Sequence, residues 1–387
     1  YKTDFGKIMA RKNAIVKQMH TGVTYLLKKN KIDVFTGTAK LKTNTAIEIF
    51  KKDGTCESIE GKNIILATGS EPALIRALGY NGKTVITSNE ALDLDTIPES
   101  LLVIGGGVIG CEFAMIFAEL GSKVTIVEAM PSILPMVDKE LTKRFSLMLK
   151  KRGIAIKTNI MIKAVNESSE GVSAQLENGE EIKAEKVLIS IGRTFNTKGL
   201  GLEELGIELG SKGEILINDY LETNISGVYA IGDVTNKIQL AHVASAQGIV
   251  VAENLFAGKK DAMDYSVVPS CIFTSPEIAS VGITAEDAEK QGIQVNVGKF
   301  PFMACGKAVC LGETDGMVKF IADKATDKIL GVHILGPHAT DLIAEAALAM
   351  NMGVTAEQLA KTIHAHPTLA ETLMEAAEGV HGKSIHF

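Results

Sequence analysis

The sequence predicts an α/β fold of nucleotide-binding layers, followed by a separate C-terminal α+β domain. Three observations carry this. Apolar strands that end abruptly on Gly recur at Asn63–Gly69, Lys186–Gly192 and Val228–Asp233. A Gly-x-Gly-x-x-Gly turn lies between a strand and a helix at Gly105–Gly110. From Val268 onward the texture changes to strands, turns and two helices. Continuous apolar strands belong to sheets covered on both faces. A Gly at a strand's carboxyl end lets a ligand approach the backbone there.

The elements follow in order. Phe5, Ile8, Ile15, Met19, Val23, Leu26 and Leu27 recur at helical steps, so the chain is expected to open inside a helix. Short strands are expected at Asp33–Phe35 and Ala46–Phe50, with a turn at Asp53–Gly54. A strand at Leu101–Ile104 leads through the Gly-rich turn into a helix from about Val108 to Leu120, and Lys123–Val127 forms the next strand. In the last domain, strands are expected at Lys299–Phe302, Met317–Ile321 and Ile329–Leu335, with a turn at Asp315–Gly316. Helices are expected at Thr340–Met350 and Thr355–Lys361.

Composition narrows the function classes. A length of 387 residues suits two or three domains. Apolar residues at 46% and charged residues at 22% exclude a disordered or disulfide-stapled chain. The net charge is −6 with no basic tract, so no nucleic-acid partner is expected. No apolar run reaches the roughly 18 residues of a membrane span. Five scattered cysteines, an odd count, fit a reduced cytoplasmic setting.

The strongest motif is Gly105-Gly106-Gly107-Val108-Ile109-Gly110. Gly105 allows the tight turn, Gly107 admits a pyrophosphate at the helix N-terminus, and Gly110 lets helix and strand pack closely. Glu128 ends the next strand, 23 residues after Gly105. A carboxylate there accepts from ribose hydroxyls and repels a 2′-phosphate, which favours NAD over NADP. Gly192 lies 87 residues after Gly105 and closes this unit. Gly69 closes what reads as an equivalent unit, yet no Gly-x-Gly-x-x-Gly precedes it. The simplest expectation is a chain lacking the opening β-α-β of its first nucleotide domain. The alternative is that Gly69 merely ends a strand.

Asp233, beside Gly232 and after a buried strand, can hold a ribityl hydroxyl of a flavin or serve as a plain turn residue. In His364-Ala365-His366-Pro367-Thr368-Leu369-Ala370-Glu371, Thr368 and Glu371 have capping-box spacing. Glu371 either only caps a helix or orients His366 as a base. His364 and His366 lack further ligands at useful spacing, so no metal is expected. Cys305 and Cys310 have a redox-like C-x4-C spacing, but are read as incidental strand or hairpin residues with no helix N-terminus beside them. Cys111 is read as a small packing residue.

Taken together these motifs resemble the flavin- and NAD-dependent disulfide oxidoreductases, most closely the dihydrolipoamide dehydrogenases. The most specific stretches are His364–Glu371, Ile191-Gly192-Arg193, Tyr229–Asp233 and Val268–Glu277. The resemblance implies an incomplete FAD-binding Rossmann-like domain (1–70 and 196–265), a complete NAD-binding Rossmann-like domain (71–195) and a C-terminal α+β dimerisation domain (266–387). It implies His366 as base with Glu371 as its orienter. Gly105, Gly106, Gly107, Val108, Ile109, Gly110, Glu112, Glu128 and Gly192 would hold NAD. Thr68, Gly69, Ser70, Asp233 and the backbone of Leu240, Ala241 and His242 would be the surviving part of an FAD site. A homodimer sharing its active sites is implied, as is service to the lipoyl domain of 2-oxo acid dehydrogenase or glycine cleavage complexes. The family's FAD-binding Gly-rich turn and redox C-x4-C helix are absent, roughly 80 residues by comparison, so a chain inactive by itself is expected. The alternatives are a catalytically dead fragment that binds NAD and dimerises, or another disulfide reductase of the same family.

Overall fold

The computed structural model of the chain describes residues 3–168 and 171–387. The chain divides into two compact units, and each is discontinuous in sequence. One comprises the residues up to Ala73 together with Arg193–Asp264; the other comprises Leu74–Gly192 and Tyr265–Phe387.

The first unit opens with a helix, Phe5–Lys29, whose N-cap Asp4 accepts from Lys7 N. None of its residues is buried, and Ile8, Ile15, Met19, Val23 and Leu26 stay exposed. An antiparallel meander follows: Thr38–Leu41, Ala46–Phe50 and Cys56–Glu60. The strand expected at Asp33–Phe35 does not form. Pairing starts instead at Thr38, opposite Phe50, where a short turn brings a partner edge within reach. Local apolar character without such an edge is not enough to make a strand. Ile64–Leu66 then pairs in parallel with Val228–Ala230, and Ser70–Pro72 pairs antiparallel with Arg193–Phe195. Leu41, Ile64, Leu66, Leu202, Ile215 and Val228 form the core of this unit.

The second unit is built on a five-stranded parallel sheet. Its spatial order is Val85–Ile86, Lys186–Ile189, Ser100–Ile104, Lys123–Val127 and Ala155–Lys157. Both faces are covered, as continuous apolar strands require. Leu101 and Val103 pack with Ala114 of the helix Val108–Glu119 and with Phe145 and Leu149 of the helix Lys139–Lys151. Leu102 and Ile104 pack on the other side against Val172 and Ala174 of a three-stranded meander. Each apolar strand stops short of the Gly that marks it in sequence: at Leu66, Ile189 and Ala230.

The same unit contains an antiparallel sheet ordered Ser270–Ile272, Glu277–Gly282, Ile329–Gly336, Met317–Asp323 and Val295–Pro301. Helices Ala339–Asn351, Ala356–Ala360 and Glu371–Gly379 contribute Ile343, Ala346, Leu359 and Leu373 to its core. Cys305 and Cys310 depart from the sequence expectation. Cys305 is the N-cap of a short helix, Gly306–Leu311, inserted between two paired strands, and Cys310 lies on that helix. The buried face supplied by Ala308 lets this connection coil rather than extend. Both thiols are free, with Cys305 buried and Cys310 exposed.

Candidate active-site elements

The Gly-rich turn is shaped by contacts that only Gly permits. Gly105 has φ +104°, and a Cβ there would lie 2.3 Å from Ser190 O. A Cβ on Gly110 would lie 2.0 Å from Gly105 O, so helix and strand meet at backbone distance. Ser190 Oγ sits 3.0 Å from the carbonyl oxygens of both Ile104 and Gly105 and closes this corner. Sequence reasoning missed Ser190; its position directly after a strand that pairs with the Gly-rich strand was the available signal. Gly107 caps the helix with no side-chain partner, and no atom lies within 4 Å of where its Cβ would be. That open, uncapped helix N-terminus is suited to an anion. Val108 is exposed there and Ile109 half-buried. Gly192 follows the neighbouring strand with φ +123°.

Glu128 stands directly after the strand Lys123–Val127 and is buried. Its Oε2 accepts from Gly106 N at 2.6 Å and its Oε1 from Met130 N at 2.7 Å. The carboxylate therefore ties the turn to the next strand. Glu112 accepts from Phe273 N at 2.9 Å, and burial pushes its carboxyl up, against that hydrogen bond. Cys111 is fully buried, and burial pushes its thiol up to about 12. Such a thiol is a packing group.

In the first unit, Ser70 Oγ donates to Asp233 Oδ2 at 2.5 Å. Arg193 Nε donates to Ser70 Oγ at 2.6 Å, and its Nη2 donates to Ser70 O at 2.7 Å. Arg193 also stands 3.7 Å from Asp233. Sequence reasoning quoted Arg193 without assigning it a task; here it locks the Ser70–Asp233 pair. Thr68 Oγ1 donates to Asn196 O at 2.7 Å beside Gly69. Leu240 is the N-cap of the helix Ala241–Phe256 and makes no side-chain cap hydrogen bond. Gln247, one turn on and fully buried, accepts from Gly232 N at 2.6 Å.

The third element lies at the end of the second unit. His366 is largely exposed, and its Nδ1 is 2.9 Å from Glu371 Oε1. Glu371 Oε2 accepts from Thr368 N at 2.9 Å. Burial alone would raise the Glu371 carboxyl; the Thr368 N–H and the His366 ring outweigh it and hold it below the usual carboxylate range. The His366–Pro367 bond is cis. The capping box is half formed: Thr368 Oγ1 donates to Ala365 O, and Ala370 is the N-cap of the helix. Glu371 thus serves the turn and the imidazole together. His364 turns away from His366, toward Glu345 and Thr362 O. Among the described residues no group of three or more His, Cys, Asp or Glu is placed to hold a metal ion.

Comparison with known proteins adds the following. Residues 2–248 match the family described as Pyridine nucleotide-disulphide oxidoreductase, and residues 268–377 match that family's dimerisation domain. A dihydrolipoyl dehydrogenase of Bacillus subtilis is 43% identical over 397 residues, covering 99% of this chain and 84% of the relative. Among solved structures, LpdA from Mycobacterium tuberculosis superposes with a TM-score of 0.92 at 27% identity, covering 98% of this chain and 84% of that one. The HOCl-induced flavoprotein disulfide reductase RclA from Escherichia coli also gives 0.92, at 28% identity, covering 97% and 86%.

Proposed function

The chain belongs to the pyridine nucleotide-disulphide oxidoreductases, and from that premise we propose that it carries the NAD-binding and general-base parts of a dihydrolipoamide dehydrogenase. The observation that carries this reading is the His366–Glu371 pair at 2.9 Å on a largely exposed turn. With Nδ1–H donated to the carboxylate, Nε2 is left as the basic nitrogen. Nε2 takes a thiol proton of dihydrolipoamide, and the Glu371 carboxylate stabilises the resulting imidazolium. Exposure of His366 admits a substrate presented on a mobile lipoyl domain of a 2-oxo acid dehydrogenase or glycine cleavage complex.

The residues present fit NAD. The uncapped Gly107 terminus takes the pyrophosphate and Glu128 faces the ribose, within an NAD-binding domain at 71–195. FAD is fitted in part: Asp233 and the helix start at Leu240–His242 suit the ribityl and ring portions, whereas this sequence carries a single Gly-x-Gly-x-x-Gly for a pyrophosphate. When bound, these groups supply the electron path from thiols to nicotinamide. None of the five free cysteines is assigned as the redox pair, since Cys111 and Cys305 are buried, Cys271 is half-buried, and Cys56 and Cys310 are scattered on the surface. The site for FAD is accordingly read as incomplete, and this chain by itself as inactive toward dihydrolipoamide. The scattered thiols keep a reducing, cytoplasmic setting within the proposal.

The test is a fusion of the chain to an FAD- and disulfide-bearing segment. NAD-linked oxidation of dihydrolipoamide is expected in the fusion, absent in the chain alone, and lost on His366→Ala. Turnover by the unfused chain that Cys305→Ser abolishes would refute the assignment of the thiols. Full activity of His366→Ala would refute the base.

A further inference from the structure

His364 has both ring nitrogens committed. Nδ1 lies 2.8 Å from Thr362 O and Nε2 lies 2.8 Å from Glu345 Oε1. The side chain is only 5% exposed, while His366, two residues on, is 77% exposed. A backbone carbonyl can only accept, and an ionised carboxylate can only accept. Two such acceptors on one imidazole are both satisfied only by a ring with an N–H at each nitrogen. Glu345 projects from the helix Ala339–Asn351, which is packed on the antiparallel sheet through Ile343 and Ala346. It is a post on a separate helix, outside the turn that carries His366.

We infer that His364 is a positioning residue for the base: clamped to Glu345 and Thr362, it fixes the backbone from which His366 projects. The need follows from geometry. Among the described residues, the hydrogen bond of the His366 ring is the one between Nδ1 and Glu371. The direction of its free Nε2 therefore depends on where the segment Thr362–Pro367 is held. Downstream, the segment is fastened by Thr368 N on Glu371 and by Thr368 Oγ1 on Ala365 O. Upstream, side chains fasten it at two points: Thr362 Oγ1 donates to Gln358 O at 3.0 Å, and the His364 clamp holds the residue two places before the base. With an N–H at each nitrogen, the ring makes directional, charge-assisted bonds at both ends. Preorganisation of this kind keeps a base within the narrow geometry that proton transfer needs.

The inference rests on the reading of His366 as the base, and imidazole nitrogen NMR of the chain at neutral pH separates the two. In the unaltered chain His364 should show two N–H groups and His366 one tautomer, protonated at Nδ1. Glu345→Ala should remove one His364 proton and lower the His366 tautomer preference by about tenfold, the scale of one lost charge-assisted bond. Glu345→Gln keeps an acceptor oxygen and should restore the His366 signature. A His364 ring with one N–H in the unaltered chain would overturn the inference. So would a His366 spectrum unmoved by Glu345→Ala while Glu371→Gln shifts it. A His366 spectrum unmoved even by Glu371→Gln would overturn the reading of the base, and the positioning role with it.

Discussion

Glu128 holds the Gly-rich turn through two backbone N–H groups, and it is also the residue proposed to face the ribose. The two roles separate by substitution. Calorimetry should give tighter binding of NADH than NADPH to the unaltered chain. Glu128→Gln should narrow that gap by about 1–3 kcal/mol, the scale of a charge-assisted bond. Glu128→Ala should also lower the melting temperature, since the buried Gly106 N–H loses its acceptor. Equal affinities in the unaltered chain would count against the assignment. Another residue pair matters for stability. Lys319 Nζ lies 2.7 Å from Asp138 Oδ2, and both side chains are almost fully buried. Burial would raise the Asp138 carboxyl, yet the Lys319 ammonium outweighs it and holds the carboxyl below its usual range. The stabilisation is therefore present above the unfolded value of about 3.9 and lost as pH falls through the lower native one. Lys319→Met should cost about 3–5 kcal/mol, because it strands a buried charge, and should move acid unfolding to higher pH. Circular dichroism against pH checks both. The Gly residues of the turn were legible in sequence because backbone sterics is local. Lys319 and Asp138 were not, because their partnership joins positions 181 residues apart.

Among the elements, the strand–turn–helix around Gly105–Gly110 offers a paired comparison. Gly110→Ala places a methyl 2.0 Å from Gly105 O, so overpacking should destabilise the fold by about 1–3 kcal/mol. Gly107→Ala meets nothing within 4 Å and has an ordinary φ of −74°, so the melting temperature should hold. The added methyl sits where the pyrophosphate is proposed to approach, so NAD affinity should fall in Gly107→Ala all the same. Thermal melts combined with NADH titration decide it, and unchanged NADH affinity would place the nucleotide elsewhere. Ser100–Ile104 and Lys123–Val127 were legible because an unbroken apolar run states its own burial. Two other segments misled. Val34 and Phe35 look like a strand, but the pairing edge lies a few residues later at Thr38. Cys305–Cys310 look like a hairpin beside Asp315–Gly316, but a helical turn fills the connection. In both cases the deciding contact is non-local.

For the whole molecule, the match of 268–377 to a dimerisation domain leads to the expectation of a homodimer. Sedimentation should report twice the 41.2 kDa chain mass at micromolar concentration. Leu348, Met352 and Ile363 of the same domain are strongly exposed and suit the contact, whereas Ala346 is buried in its own core. A monomer at assay concentration would remove the shared-site arrangement. The overall α/β plan was legible because strand ends and Gly positions repeat; which strand joins which was not. The pairing of Ile64–Leu66 with Val228–Ala230 has a consequence for synthesis. A chain leaving the ribosome makes the first of these strands long before the second exists. The parallel sheet of Leu74–Gly192 has all its strands in hand during that interval. It can condense while the earlier segment waits, and its condensation shortens the loop that the later pairing must close. Until Val228–Ala230 emerges, Ile64 and Leu66 present an unpaired apolar edge, which is the moment at which a nascent chain is most open to chaperones and to aggregation. Ribosome-stalled chains ending before residue 228 should therefore be cut by protease within 38–66 and protected across 100–127, and stalling after residue 264 should extend the protection to both.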